Sequence, residues 1–225
     1  MSLSQQLLEL IRKGRRHIGE ILIMDLADDG FLLCHHLDAD EAASDGHGKL
    51  EVHHSADVAR AISTYDAEGE YRFAKAQVNL KRGWAILLPN ERELLRALDL
   101  FYPAGVGIFL AHQDGSLEIE HMRDKLNRQT GMYKFARNIS DEGAQALIKD
   151  LCGPAHQCAR RILWQIDENT PLENSEASRY KGICAGSESE AIPLMCREAC
   201  NHFVAQARKV SKQEFEAAQG TRKKN

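Results

Sequence analysis

Two cysteine pairs far apart in the chain constrain it more than any other feature. Of six cysteines, Cys152, Cys158, Cys184, Cys196 and Cys200 lie in the final third, and Cys34 lies near the N-terminus. Four of them form Cys152-Gly-Pro-Ala-His-Gln-Cys158 and Cys196-Arg-Glu-Ala-Cys200, with residues 159–195 between the pairs. Six cysteines suffice for three disulfides, so the redox compartment is read first. Met1 to Lys13 interrupts its apolar residues with Gln5, Gln6 and Glu9, and no small-residue cleavage site follows, which is unlike a signal peptide. The expected location is therefore cytoplasmic. In that reducing compartment clustered cysteines serve metal or redox chemistry rather than a disulfide framework.

The spacing suggests one site. Cys196 and Cys200 are four residues apart, so at the start of a helix their thiols would share one face, about 6 Å apart at Cβ. The positive end of a helix also favours thiolates. After Cys152, Gly153-Pro154 breaks the preceding helix and lets the backbone wrap a compact object. Four thiolates from two turns suit an iron–sulfur cluster. Zinc is the alternative, although its structural sites favour C-x2-4-C pairs and a five-residue gap is wide for one small ion. A further alternative is that the four are core cysteines, since free Cys packs as a small hydrophobe. Cys34 reads as core, and Cys184 as a spare thiol or an alternate ligand. Arg160 and Arg161 are placed to offset cluster charge, and His156 and His202 to tune it through hydrogen bonds.

The remainder reads as an ordinary folded chain of 225 residues with formal charge -4. That balance disfavours nucleic acid as a partner, and no apolar run approaches the roughly 20 residues of a membrane span. Helices are expected over residues 3–16, at a short segment reaching Ala61-Ile62 behind Ser55, and after Asn90, where Glu93 completes a capping-box pattern. His17–Ala27 and Phe31–Leu37 read as a hairpin around Asp28-Asp29-Gly30, Trp84–Leu88 as a strand, and Gly105–Ala111 as another. Residues 38–49 read as an exposed acidic loop. After residue 139 the pattern turns helical, with helices from Ser140, over 159–165 and from Glu198, and a long polar loop over 167–190. The fold class expected is α+β: a largely antiparallel sheet with helices in 1–138, then a small, mainly helical cluster-binding domain in 139–225.

His35-His36 and His53-His54 each place neighbours on opposite faces of a strand, so neither pair chelates one ion with both rings. Arg128 and Lys134, with Arg123, Lys125 and Arg137, form a basic stretch suited to an anionic small molecule or an acidic partner face. The same stretch also reads as a solvated helix face. No phosphate-binding loop, dinucleotide fingerprint, zinc-protease motif or nucleophile elbow occurs.

The order C-x5-C, a long gap, then C-x3-C resembles the cluster motif of siroheme-dependent sulfite and nitrite reductases. That resemblance implies Cys152, Cys158, Cys196 and Cys200 as ligands of a [4Fe-4S] cluster. Thioredoxin-like [2Fe-2S] ferredoxins have a related layout. A broader likeness is carried by Asn79-Leu80-Lys81-Arg82-Gly83-Trp84, Phe101-Tyr102-Pro103, Arg128-Gln129-Thr130-Gly131-Met132-Tyr133 and Cys196-Arg-Glu-Ala-Cys200-Asn-His-Phe203. These resemble accessory regions of sirohydrochlorin cobaltochelatase-like proteins, in which a stabilising α+β domain precedes a small [4Fe-4S] domain. The chelatase unit of those proteins has no counterpart here. The function implied is electron transfer or redox sensing for a redox or tetrapyrrole-pathway protein partner, in siroheme or cobalamin metabolism. The alternative is an interaction module whose metal, cluster or zinc, only holds the fold. Whether the chain catalyses a reaction stays open.

Overall fold

The computed structural model describes residues 1–44, 48–152, 158–172 and 189–222. They fall into two compact units, one of residues 1–116 with 189–194 and the other of 117–172 with 195–222.

The first unit begins with helix α1 (Leu3–Arg12), where Ser2 and Gln5 cap each other reciprocally. Its buried stripe is Leu7, Leu10 and Ile11. Strands β1 (His17–Ile18), β2 (Ile21–Asp25), β3 (Phe31–His35), β4 (Glu51–His53) and β5 (Trp84–Leu88) follow. With β7 (Ala191–Ile192) they form a sheet in the order β4-β5-β3-β2-β1-β7. The β2–β3 hairpin forms where the alternation predicts it, pairing Leu22 with Cys34 and Asp25 with Phe31. Its turn requires Gly30, which has φ +90 and where a Cβ would stand 2.2 Å from the Leu88 carbonyl oxygen. Every residue of β3 is buried, Cys34 among them, as expected of a core cysteine.

Short helices α2 (Ala39–Ala42) and α3 (Val58–Ile62) precede β5. Helix α4 (Glu91–Phe101) starts where Asn90 accepts the Glu93 N–H at 3.0 Å and buries Leu94, Ala97, Leu98 and Phe101. Trp84 stacks on Phe101 with ring centroids 5.2 Å apart, tying β5 to α4. The first unit also holds a buried polar group. Glu20 accepts the Leu80 N–H at 3.1 Å and stands 3.4 Å from His35 Nε2 and 3.6 Å from an Arg72 nitrogen.

The sheet is largely antiparallel, as expected: β1–β2, β2–β3 and β3–β5 pair antiparallel, while the edge pairings β4–β5 and β1–β7 run parallel. Other expectations for this unit are corrected. Residues 105–111 are not a strand but part of helix α5 (Gly105–Gln113). Gly105 gives the close approach that seats this helix, since a Cβ there would lie 3.2 Å from Leu194 and 3.4 Å from Ile18. The acidic stretch is not a solvated loop throughout: it passes through a 3-10 turn at His36–Asp38 into α2. Asp38 is buried and takes hydrogen bonds from Arg82 and from the Gly83 N–H. That same turn ends the strand at His35, so the His35 and His36 rings stack at 4.6 Å instead of pointing to opposite faces. Ser55 accepts the Asp57 N–H rather than capping α3 directly.

The second unit comprises α6 (Met122–Asn127), a 3-10 segment (Gly131–Asn138), α7 (Asp141–Cys152), β6 (Arg161–Ile162), β8 (Met195–Cys196) and α8 (Asn201–Arg222). Its core is Met122, Leu126, Ala136, Leu147, Ile148, Ile162, Trp164, Ile166, Phe203, Val204 and their neighbours. Because Met122, Leu126 and Ala136 belong to this core, the division falls at Ser116/Leu117 and not at 138/139. The helix expected over 159–165 is instead the strand β6, parallel to β8. Most of the long polar loop lies outside the described residues. Among the described residues no single helix is long and apolar enough to cross a membrane.

Candidate iron–sulfur site

Each cysteine of the two pairs is delivered by an element whose other residues build the second core. Helix α7 begins where Ser140 Oγ accepts the Gly143 N–H at 2.9 Å and donates to Glu214 of α8 at 2.6 Å. It buries Ala144, Leu147 and Ile148 and carries Cys152 at its last turn. Cys158 precedes β6. Cys196 ends β8, where Ile162 pairs with Cys196 and the Leu163 N–H donates to the Cys196 carbonyl at 3.0 Å. Cys200 immediately precedes α8, whose first turns bury Phe203, Val204 and Ala207.

The Cys196–Cys200 connection is held from outside by the Glu120 N–H donating to the Arg197 carbonyl at 3.0 Å and by Lys125 Nζ at 2.9 Å from Glu198. The pair therefore does not occupy one helical turn as expected. It spans the corner between a strand end and a helix start, because Cys196 continues the ladder with Ile162.

The four thiols converge. Burial pushes the Cys152 pKa well up, and Cys158, Cys196 and Cys200 push it further as neighbouring potential anions. Burial raises Cys158 to about 11, with Cys196 and Cys200 adding to the rise and the Arg160 amide and guanidinium opposing it. Cys196 is raised by burial and by Cys200, against the Trp164 indole N–H, Arg160 and the Glu198 amide. Cys152, Cys158 and Cys196 are half-buried and Cys200 is exposed.

Hydrogen bonds surround the sulfurs. Trp164 Nε1 donates to Cys196 Sγ at 3.3 Å, and the Phe203 N–H donates to Cys200 Sγ at 3.4 Å. In its thiol form Cys196 also donates to the Glu198 carbonyl at 3.0 Å. Among the described residues, no three His, Cys, Asp or Glu side chains stand close enough to share one metal ion. Four cysteines are the ligand number and type that hold a [4Fe-4S] cluster.

The other predicted residues divide. Arg160 lies beside the thiols and donates to the Met195 carbonyl at 3.1 Å. Arg161 is exposed, because the alternation that buries Ile162 turns it outward. His202 is half-buried in the first turn of α8, its pKa lowered by burial and then by Lys209. His156 and Cys184 lie outside the described residues. Arg128 pairs with Glu120, and Arg123 with Asp141. Lys134 lines an open depression with Gly131, Met132, Phe135, Arg137 and Asn138. Trp164 is a site residue to which the cysteine spacing does not point. Its signal was the period-two burial of Ile162, Trp164 and Ile166 between the cysteine pairs.

Comparison with known proteins follows the same division. Residues 4–113 match the DR2241 stabilising domain. Residues 114–209 match the 4Fe-4S iron–sulfur cluster binding domain. No curated protein matches the chain. Among solved structures, DR2241 from Deinococcus radiodurans is similar, with a TM-score of 0.72 and 23% identity over 95% of this chain. That protein is described as multi-domain, with structural similarity to chelatases but also with two additional novel domains, and this chain spans 42% of its length. The chain thus joins a DR2241-type stabilising domain to a 4Fe-4S iron–sulfur cluster binding domain, and its cofactor is a [4Fe-4S] cluster.

Proposed function

We propose that Cys152, Cys158, Cys196 and Cys200 ligate the cluster and that the protein transfers or senses electrons for a partner enzyme. The observation that carries this reading is the asymmetry of the four thiols. Cys152, Cys158 and Cys196 are half-buried, the first and last of them against the apolar core, while Cys200 is exposed. A ligand open to solvent offers a short route between a cluster and a docked redox partner, which a purely structural metal does not require.

When bound, the cluster supplies one-electron chemistry. The chain's own residues partly shield three of the cysteines, aim N–H dipoles at Cys196 and Cys200, and hold Arg160 near the anionic centre. Tetrapyrrole metabolism is the proposed setting, in a reducing compartment such as the cytoplasm. Its support is the likeness to a longer protein described as similar to chelatases. For an anionic small molecule such as a tetrapyrrole, we assign Lys134 and Arg137 as carboxylate contacts. Arg123, Lys125 and Arg128 are already engaged by Asp141, Glu198 and Glu120.

The test is anaerobic purification with iron and sulfide analysis, followed by potentiometric titration. About four irons per chain and a reversible one-electron step are expected. Serine at any one of the four cysteines is expected to lower iron and sulfide together, and Cys34→Ser to leave both unchanged. A fully loaded cluster with no reversible step would leave only a structural role and refute the redox reading.

A further inference from the structure

The Trp164 indole is buried to 2% exposure, yet its one polar atom points at a sulfur. The strand that carries it fixes that direction. Ile162 pairs with Cys196, and the Leu163 N–H donates to the Cys196 carbonyl, so Trp164 continues alongside the end of β8. Phe203 packs across the indole with centroids 5.7 Å apart and planes at 70°. Phe203 in turn donates its own backbone N–H to Cys200 Sγ. One edge-to-face aromatic pair therefore aims two N–H groups at two neighbouring cysteines, and only the indole N–H belongs to a side chain.

We propose that Trp164 sets the reduction potential of the cluster by donating its indole N–H to Cys196. The inference rests on the ligand set and redox reading proposed above. Reduction adds one electron, supplied in the assay by dithionite, and no proton has to move. The added negative charge spreads over the iron, sulfide and thiolate sulfurs. An N–H dipole aimed at a thiolate stabilises the more negative state and so raises the potential. Burial strengthens the effect, because no water competes for the sulfur at that edge. Loss of the donor makes the cluster harder to reduce.

The experiment compares the loaded full-length chain with Trp164→Phe, which keeps an aromatic ring against Phe203 and removes the donor together with part of the ring's volume. The expected result is a more negative midpoint potential at unchanged iron and sulfide content. A fully loaded variant with an unshifted potential overturns the inference and leaves the redox reading intact. A wild-type protein with no reversible step overturns both. Should the variant fail to load, the native ring is tested directly in Trp84→Phe protein grown on 15N-indole tryptophan. With Trp84 replaced, Trp164 is the remaining tryptophan of the chain's two. A 15N hyperfine coupling to the reduced cluster is expected, and its absence overturns the proposal.

Discussion

Glu20→Gln tests the buried polar group of the first unit. Glu20 and Arg72 have side chains 6% and 1% exposed and stand 3.6 Å apart. At an effective dielectric of 20 their attraction is about 4.6 kcal/mol. Removing one partner of a buried pair costs about 3–5 kcal/mol, because the other charge is left uncompensated. Two features place this case at the low end. Glutamine keeps an oxygen for the Leu80 N–H, and Arg72 retains the Asn79 side chain and the Ser63, Lys75 and Gln77 carbonyls. The expected loss is about 3 kcal/mol, or a urea midpoint lower by about 1.5 M at an m-value of roughly 2 kcal/mol/M. Trp84 reports on this unit alone when Trp164 is replaced by Phe, so fluorescence gives the transition directly. Arg72→Met in the Glu20→Gln background should then cost less than it does alone, since no charge remains unpaired. A midpoint shift below about 0.3 M for Glu20→Gln is the scale of a neutral surface change and would refute the reasoning.

Gly30→Ala should lower stability by about 2 kcal/mol and the melting temperature by about 5 °C, because it combines φ +90 with a Cβ 2.2 Å from the Leu88 oxygen. Thermal denaturation reads this, and an unchanged Tm would show that the hairpin relaxes freely. In the native protein Cys34 should resist iodoacetamide, since burial and then Asp38 push its pKa up to about 12, which leaves roughly 10⁻⁴ of it ionised at pH 8. Mass spectrometry should find exposed Cys200 alkylated far earlier in the cluster-free protein. The cluster-free second unit should also lose stability in alkali. Cys158 has a folded pKa of about 11 against an ordinary 9.0, so its contribution is present below pH 9 and lost as pH rises through 11. Urea midpoints at pH 8 and pH 10.5 measure that fall. The loaded protein, whose ligands are already deprotonated, should not show it over the same interval.

Local rules read well where they were sufficient. Asn90 with Glu93, the Gly30 hairpin and the 3.6-residue stripe of α1 each specify their element within a few neighbouring residues. The errors arose where tertiary pairing decided. The run Gly105–Ala111 is apolar in both strand and helix templates, and close packing of Gly105 on Ile18 and Leu194 selects the helix. Around Cys158 and Cys196 the deciding partner is remote, since β6 and β8 pair across more than thirty residues. Helical spacing therefore suggested the C-x3-C geometry, while the ladder with Ile162 imposes another. The convergence of four thiols was nonetheless legible, because residue type and spacing point to it without knowledge of the backbone. The Glu20–Arg72 pairing was not, since nothing local links residues so far apart.

The second unit is interrupted. Its described residues stop at 172 and resume at 195, and β7 (Ala191–Ile192) between them completes the sheet of the first unit beside β1. With the proposed ligands, iron joins Cys158 to Cys196 and closes a loop of about 40 residues that contains β7. Such a cross-link removes about 4 kcal/mol of unfolded-chain entropy by the arithmetic used for disulfides. The cluster would in this sense act as a clasp, beside the redox role proposed for it. Opening it would lengthen the tether on an edge strand of the other unit, so loss of iron should be felt in hydrogen exchange at Ala191 and Ile192 as well as at the cysteines.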